Sequence, residues 1–245
     1  MTTQAPNTDA TPATPEAAAP PTRFAMVLFN GFQALDVFGP IDTLNLLSRI
    51  LSRRSPSSPG LSLALLAATL DPVTTAAPDA QQTTEQKVLP THTFATAPAA
   101  LDVVLIPGGQ GTRTPATIQP AVDFIRRRFP DVRLVLTICT GVVVVARAGL
   151  LNGERATTNK SKFGWVVEAA SEGSPDAVWV ERARWVEGDK IWSASGVSAG
   201  MDAMLEMVAK LYGRDVAEEI ATTQEYARHT DSTDDPFWEV HHANK

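Results

Sequence analysis

Cysteine is almost absent: Cys139 is the only one among 245 residues. That excludes an internal disulfide, and a cysteine-built metal cluster needs more thiolates than one chain supplies. A reducing compartment, the cytoplasm, is the expectation that follows. Long apolar runs are missing too. None approaches the roughly 20 residues that a membrane-spanning helix needs, so no membrane partner is expected. The first residues lack a basic segment followed by an apolar stretch, and they carry Asp9 and Glu16 with no Arg before Arg23. Neither a secretory nor a mitochondrial leader is read there. Basic charge is short as well, with a formal net charge of -6. Nucleic acid, which requires clustered Lys and Arg against phosphates, is not an expected partner. The one basic cluster, Arg126-Arg127-Arg128, reads as the solvated end of a helix, where cations meet the negative pole. The four histidines, His92, His229, His241 and His242, fall in connections and the tail, so no metal and no cofactor are expected.

What remains is an ordinary globular composition, 44% hydrophobic and 20% charged. Residues 1–22 are Thr, Pro and Ala with few large apolar groups, which predicts disorder, since little burial offsets the chain entropy. Residues 23–228 read as one domain. Residues 229–245 form a C-terminal arm, expected to be ordered because Phe237 and Trp238 would otherwise be exposed. Short apolar runs predict strands over Phe24–Phe29, Leu61–Leu70, Leu101–Ile106, Val132–Ile138, Ala177–Val180, Ala183–Val186 and Lys190–Trp192. Residues 71–100 leave room for one or two more. Helices are predicted from Gly39 to about Ser52, Pro115 to Arg128, Thr140 to Ala148, Ser198 to Tyr212 and Asp215 to about Arg228. Such alternation implies an α/β domain with a mostly parallel sheet between helices, and sites at the carboxyl ends of strands.

Three strand ends carry chemistry. The run Leu134–Ile138 turns through Cys139-Thr140-Gly141 straight into a helix, an elbow that exposes the turning residue as a nucleophile. Helix amides behind it favour thiolate and lower the cysteine pKa. A lone cysteine is otherwise usually a small buried hydrophobe; the strand–Cys–Thr–Gly–helix context reverses those odds. At Ile106-Pro107-Gly108-Gly109, the Gly109 amide, with that of Thr140, is a candidate oxyanion-type donor pair. In Gly31–Pro40, Asp36 precedes the predicted helix start. It reads about equally as a capping carboxylate and as a catalytic group beside Cys139. A protonated Asp36 would hydrogen-bond the thiolate and then act as general acid. Phe163 and Trp165 read as core more readily than as pocket.

The Ile-Cys-Thr-Gly elbow, the Leu-Ile-Pro-Gly-Gly strand end and Gly-Phe-Gln-Ala-Leu-Asp-Val-Phe-Gly-Pro together resemble the ThiJ/PfpI superfamily over roughly residues 23–228. Within it the pattern is most similar to isocyanide hydratases. Asp36 stands with Gly39 and Pro40, Thr140 follows the cysteine, and Ala148–Thr158 matches the run after that helix. The resemblance implies a flavodoxin-like sandwich, a homodimer, and a cysteine nucleophile elbow acting on a small electrophilic substrate. The implied reaction is addition of water to an isocyanide through a Cys139 thioimidate, with Cys139, Asp36, Thr140 and Gly109 as catalytic residues. A glyoxalase-like enzyme of small dicarbonyls and a non-enzymatic cysteine redox or ligand sensor are the alternatives. The chain departs at Asn159-Lys160, where relatives carry histidine after Ala-Thr-Thr, which excludes a Cys–His pair at that position.

Overall fold

The computed structural model describes residues 19–57, 60–77 and 81–242, so residues 1–18 of the N-terminal segment and the last three of the arm lie outside it. The apolar run after Thr22 forms β1 (Arg23–Val27), followed by α1 (Ala34–Arg54) and β2 (Ser62–Ala67). Three short strands occupy the Thr-rich connection: β3 (Val73–Thr74), β4 (Lys87–Val88) and β5 (His92–Thr93). Next come β6 (Val103–Ile106), α2 (Pro115–Arg128), β7 (Leu134–Ile138) and, after a 3-10 turn over Cys139–Gly141, α3 (Val142–Arg147). The chain continues through β8 (Arg155–Ala156), α4 (Phe163–Ser171), β9 (Val178–Trp179), β10 (Trp185–Glu187) and β11 (Ile191–Ala194). Helices α5 (Ala199–Tyr212), α6 (Arg214–Thr223) and α7 (Phe237–His242) complete it.

Seven strands form one sheet in the order β10-β11-β7-β6-β1-β2-β5, parallel except for β10 against β11. Its central strands are buried on both sides, which is why they read as unbroken apolar runs. Helices pack in two groups, α1 with α5 and α6, and α2 with α3 and α4, as in a flavodoxin-like sandwich.

Three departures from the sequence reading have a tertiary reason. Helix α1 starts at Ala34, ahead of Pro40. The Gln33 amide is anchored on the Gly108 carbonyl at 2.8 Å, and its own carbonyl accepts from Asp36 N–H at 3.1 Å. Helix α6 stops at Thr223 because Glu225 takes a left-handed φ of 49°. The Tyr226 N–H then bonds Ala221 O at 2.9 Å and the Glu225 N–H bonds Thr222 O at 3.1 Å, a Schellman closure. Helix α7 was not expected; one and a half turns are too short to form without contacts. Asp235 Oδ1 accepts from Phe237 N–H at 3.0 Å, and Trp238 meets the Phe163 ring edge-on at 5.6 Å. Phe237 itself stays 49% exposed.

One buried ion pair fastens this arm to the domain. Arg184, on the approach to β10, bonds Asp202 of α5 at 2.8 and 2.6 Å. The other Asp202 oxygen accepts from Tyr226 OH at 3.0 Å and from His229 N–H at 2.8 Å. Asp235 lies 3.7 Å from Arg184 on the far side. Breaking a buried pair by removing one partner costs about 3–5 kcal/mol, because the remaining charge is left in the interior. Asp202→Ala should therefore lower stability by about that amount in urea unfolding, and limited trypsin digestion should cut the arm before the domain. An unfolding midpoint equal to wild type would contradict this role.

Candidate active site

Cys139, Gly108, Asp36 and Ser195 follow the carboxyl ends of β7, β6, β1 and β11, four adjacent strands of the sheet. Register brings them level: Ile138 pairs with Ala194 and Ile106 with Thr137, so the residues after each strand meet over one edge. This is where an open parallel sheet places a ligand.

Cys139 has a φ of 58°, left-handed for a residue that carries a side chain. Such a conformation costs on the order of 1–3 kcal/mol and persists only where neighbours fix it. The Cys139 N–H donates to Ser195 O at 3.0 Å, and its carbonyl accepts from Thr158 Oγ1 at 2.8 Å. Gly141 permits the turn, since a Cβ there would fall 2.5 Å from the Ile106 carbonyl oxygen. The next loop repeats the strain: Val197, after β11, has a φ of 36°.

The thiol is not acidified. Burial first, and then the Asp36 charge, push Cys139 up to about 12; the amides of Val197 and Thr140 and the Asn159 side chain act the other way. The expected lowering by helix amides is thus reversed. Two amides do reach the sulfur, but loss of water around a thiolate outweighs them, and α3 behind the elbow has only six residues.

Asp36 is not a helix cap. Its side chain turns into the interior, fully buried, where Oδ2 accepts from Gly108 N–H at 2.9 Å. Burial raises its carboxyl from 3.8 to about 7, against the lowering effect of that hydrogen bond. Oδ1 is buried and has no hydrogen-bond partner among the described residues. Asp36 therefore acts on Cys139 through charge in this geometry, with one oxygen open to a proton. Gly108 joins the two groups, since a Cβ on it would lie 2.9 Å from Cys139 Cβ.

Thr140 and Gly109 stand beside this pair, but the Gly109 N–H donates to Thr140 Oγ1 at 3.1 Å. Thr112 Oγ1 completes the knot with bonds to Thr140 Oγ1 at 3.0 Å and to Gly109 O at 2.7 Å. The donors that face the sulfur are the amides of Thr140 and Val197. Sequence reasoning chose the amide of Gly109 and not that of Gly108, took Ser195, with Ser193 and Ser198 about Gly196, for a turn or capping residue, and passed over Val197. The signal was available, because Ile191–Ala194 is another apolar strand ending at Ser195-Gly196 before a helix. Phe163 is buried among Trp179 and Trp238 and lines no part of the site. A cleft of about 230 Å³ reaches in from the arm, bounded by Asn159, Ser195, Val197, Ser198, Asp235 and Phe237. Among the described residues no group of three His, Cys, Asp or Glu is placed to hold a metal.

Because Asp36 binds its proton more tightly folded than unfolded, the stability it contributes is complete below about pH 4 and lost as pH rises through about 7. At about 1.4 kcal/mol per pKa unit, the loss is of order 4 kcal/mol. Urea melts at both ends of that range should show wild type falling relative to Asp36→Asn. A constant difference between the two proteins would mean that Asp36 titrates normally.

The sequence matches the DJ-1/PfpI family over residues 22–210. It is 31% identical to an isonitrile hydratase from Pseudomonas putida over 84% of this chain and 78% of that protein. A deglycase from Pyrococcus horikoshii is 27% identical over 46% of this chain and 64% of its own length. Among solved structures, a ThiJ/PfpI family protein from Pseudomonas syringae superposes with a TM-score of 0.70 at 27% identity. That match covers 89% of this chain and 83% of the other. With its parallel sheet, its cysteine elbow and these likenesses, the chain belongs to the DJ-1/PfpI family.

Proposed function

We propose that the protein hydrates an isocyanide to an N-substituted formamide, with Cys139 as nucleophile and Asp36 as its proton partner. The reading rests on one observation above all: a buried carboxyl that titrates near neutrality acts on a buried thiol at the end of β7. The likeness to an isonitrile hydratase along most of both chains supplies the substrate class.

The two groups form a pair that holds two protons below about pH 7 and one above it. In the one-proton state the proton rests on sulfur, because the thiol, pushed up to about 12, binds it more tightly than the carboxyl at about 7. On substrate binding, the Asp36 carboxylate takes that proton as sulfur bonds to the terminal isocyanide carbon. Asp36 then delivers the proton to the same carbon, giving a thioimidate, R–N=CH–S–Cys139. Water adds across the C=N bond with Asp36 relaying its proton. Collapse of the resulting carbinol expels the Cys139 sulfur and releases R–NH–CHO. The sum is isocyanide plus water to formamide, with the enzyme returned to its starting protonation. Thr140 and Val197 amides stabilise sulfur while it is charged, and Gly109 holds Thr140 in place through Thr140 Oγ1. The cleft beside Val197 and Phe237 receives the substituent on nitrogen. Leu35 and Phe38, exposed on α1 either side of Asp36, suit burial in a homodimer.

Dicarbonyl chemistry is the second reading, favoured by the likeness to a deglycase. Formamide absorbance should rise when an aromatic isocyanide is added to wild type. Cys139→Ala should show none, and Asp36→Asn a rate about 10²–10⁴-fold lower, the usual worth of a positioned proton-transfer group. Consumption of methylglyoxal with no formamide would transfer the site to the second reading. The wild-type kcat/KM should rise with pH through about 7, as the pair enters its one-proton state, and then level off. A rate that declines through the same range would place the working proton on the carboxyl from the outset and contradict that order of proton transfers.

A further inference from the structure

We infer that Asn159 is a catalytic hydrogen-bond donor, its side-chain amide held against the Cys139 sulfur to receive the negative charge that sulfur gains in reaction. The inference rests on Cys139 being the nucleophile of the proposed reaction and adds the group that makes a buried thiolate attainable.

The orientation of the amide follows from its partners. Asn159 caps the 3-10 turn Lys160–Lys162, and its Oδ1 accepts from the Lys162 backbone N–H at 3.2 Å and from Ser161 Oγ at 2.7 Å. A backbone N–H only donates, so the oxygen must face it and Nδ2 must point the other way. That way lies the elbow. A Cβ on Gly196 would sit 2.6 Å from Asn159 Nδ2, which locates the amide on the Ser195–Val197 loop that also bonds Cys139 N–H. Thr158, one residue earlier, is tied to the Cys139 carbonyl at 2.8 Å. The Asn159 side chain is among the groups that favour the charged form of the sulfur. It also lines the cleft assigned above to the substituent on nitrogen.

Among the described residues no other side chain takes this role. On the 3-10 turn itself, the Lys160 ammonium is spent on Thr157 Oγ1 at 2.7 Å, Ala183 O at 2.6 Å and Thr158 O at 3.3 Å. From α1, the group facing the sulfur is Asp36, whose charge opposes a thiolate. From the turn after β6 comes Thr112, bonded to Thr140 and Gly109; from the loop after β11 come the backbone of Ser195–Val197 and the Ser198 hydroxyl, none of which titrates. An amide suits such a position. It donates at every pH, so the protonation of the site is left to Cys139 and Asp36 alone.

The test is the rate at which iodoacetamide alkylates Cys139, read by mass spectrometry in wild type, Asn159→Leu and Asn159→Asp. Asn159→Asp keeps the Oδ1 that caps the turn, so it guards against failure to fold, which circular dichroism would report for either variant. Loss of a donor to a charged group should slow alkylation about tenfold or more in Asn159→Leu. Asn159→Asp, which adds a like charge, should be slower still. The factor should be the same with the bulkier N-phenyl iodoacetamide, because it reflects thiolate formation and not access. Rates within about twofold of wild type in both variants would overturn the inference, as would slowing in Asn159→Asp alone or a factor that changes with reagent size. Isocyanide turnover is not the readout, so an inactive wild type would remove the hydratase reading and leave the donor role to be judged by alkylation.

Discussion

A left-handed cysteine at the end of β7 is the constraint around which the site is arranged. The conformation costs energy on its own, and the neighbouring strand ends hold it: Ser195 O receives the Cys139 N–H, and Thr158 Oγ1 holds its carbonyl. These bonds need the parallel register that ends β7 and β11 side by side. They also bury the thiol beneath the loop after β11 and bring it under Gly108 and the charge of Asp36. Fold, strain and the unusual proton affinities of the site thus have one origin.

Burial acts on both groups in the same chemical direction, against charge. It keeps a proton on the carboxyl into the neutral range and keeps one on sulfur well beyond it. A pair so arranged is a poor store of thiolate and a good device for making one only when an electrophile arrives. Solvent is kept from the resting sulfur, and the amides of Thr140 and Val197 with the Asn159 side chain favour its charged form against that burial. A redox sensor would need a standing thiolate, which this environment disfavours.

Much of this was legible in the amino-acid order, because apolar runs without alternation mark buried parallel strands and their ends mark the site. Cys139 was singled out by that rule, whereas for Asp36 it left a capping carboxylate and a group beside the cysteine equally open. What escaped was set by contacts between distant segments. The direction of the cysteine shift depends on how completely the loop after β11 covers the sulfur, a quantity that no local pattern encodes. Gly108 and Gly109 are alike in sequence. Only the packed turn decides that the first amide meets Asp36 and the second Thr140. Helix α7 exists through Trp238 on Phe163 and the Asp235 cap, and Asn159 acquires its direction from the backbone of Lys162.

The central claim is that Asp36 gives up its proton only near neutrality, above which it and Cys139 hold one proton between them. Infrared difference titration of wild type against Asp36→Asn measures this directly. The account predicts a carboxylic acid carbonyl band that persists through mildly acidic pH, disappears through about pH 7 and is missing from the variant. A band already lost near pH 4, the range of an ordinary aspartate, would contradict it.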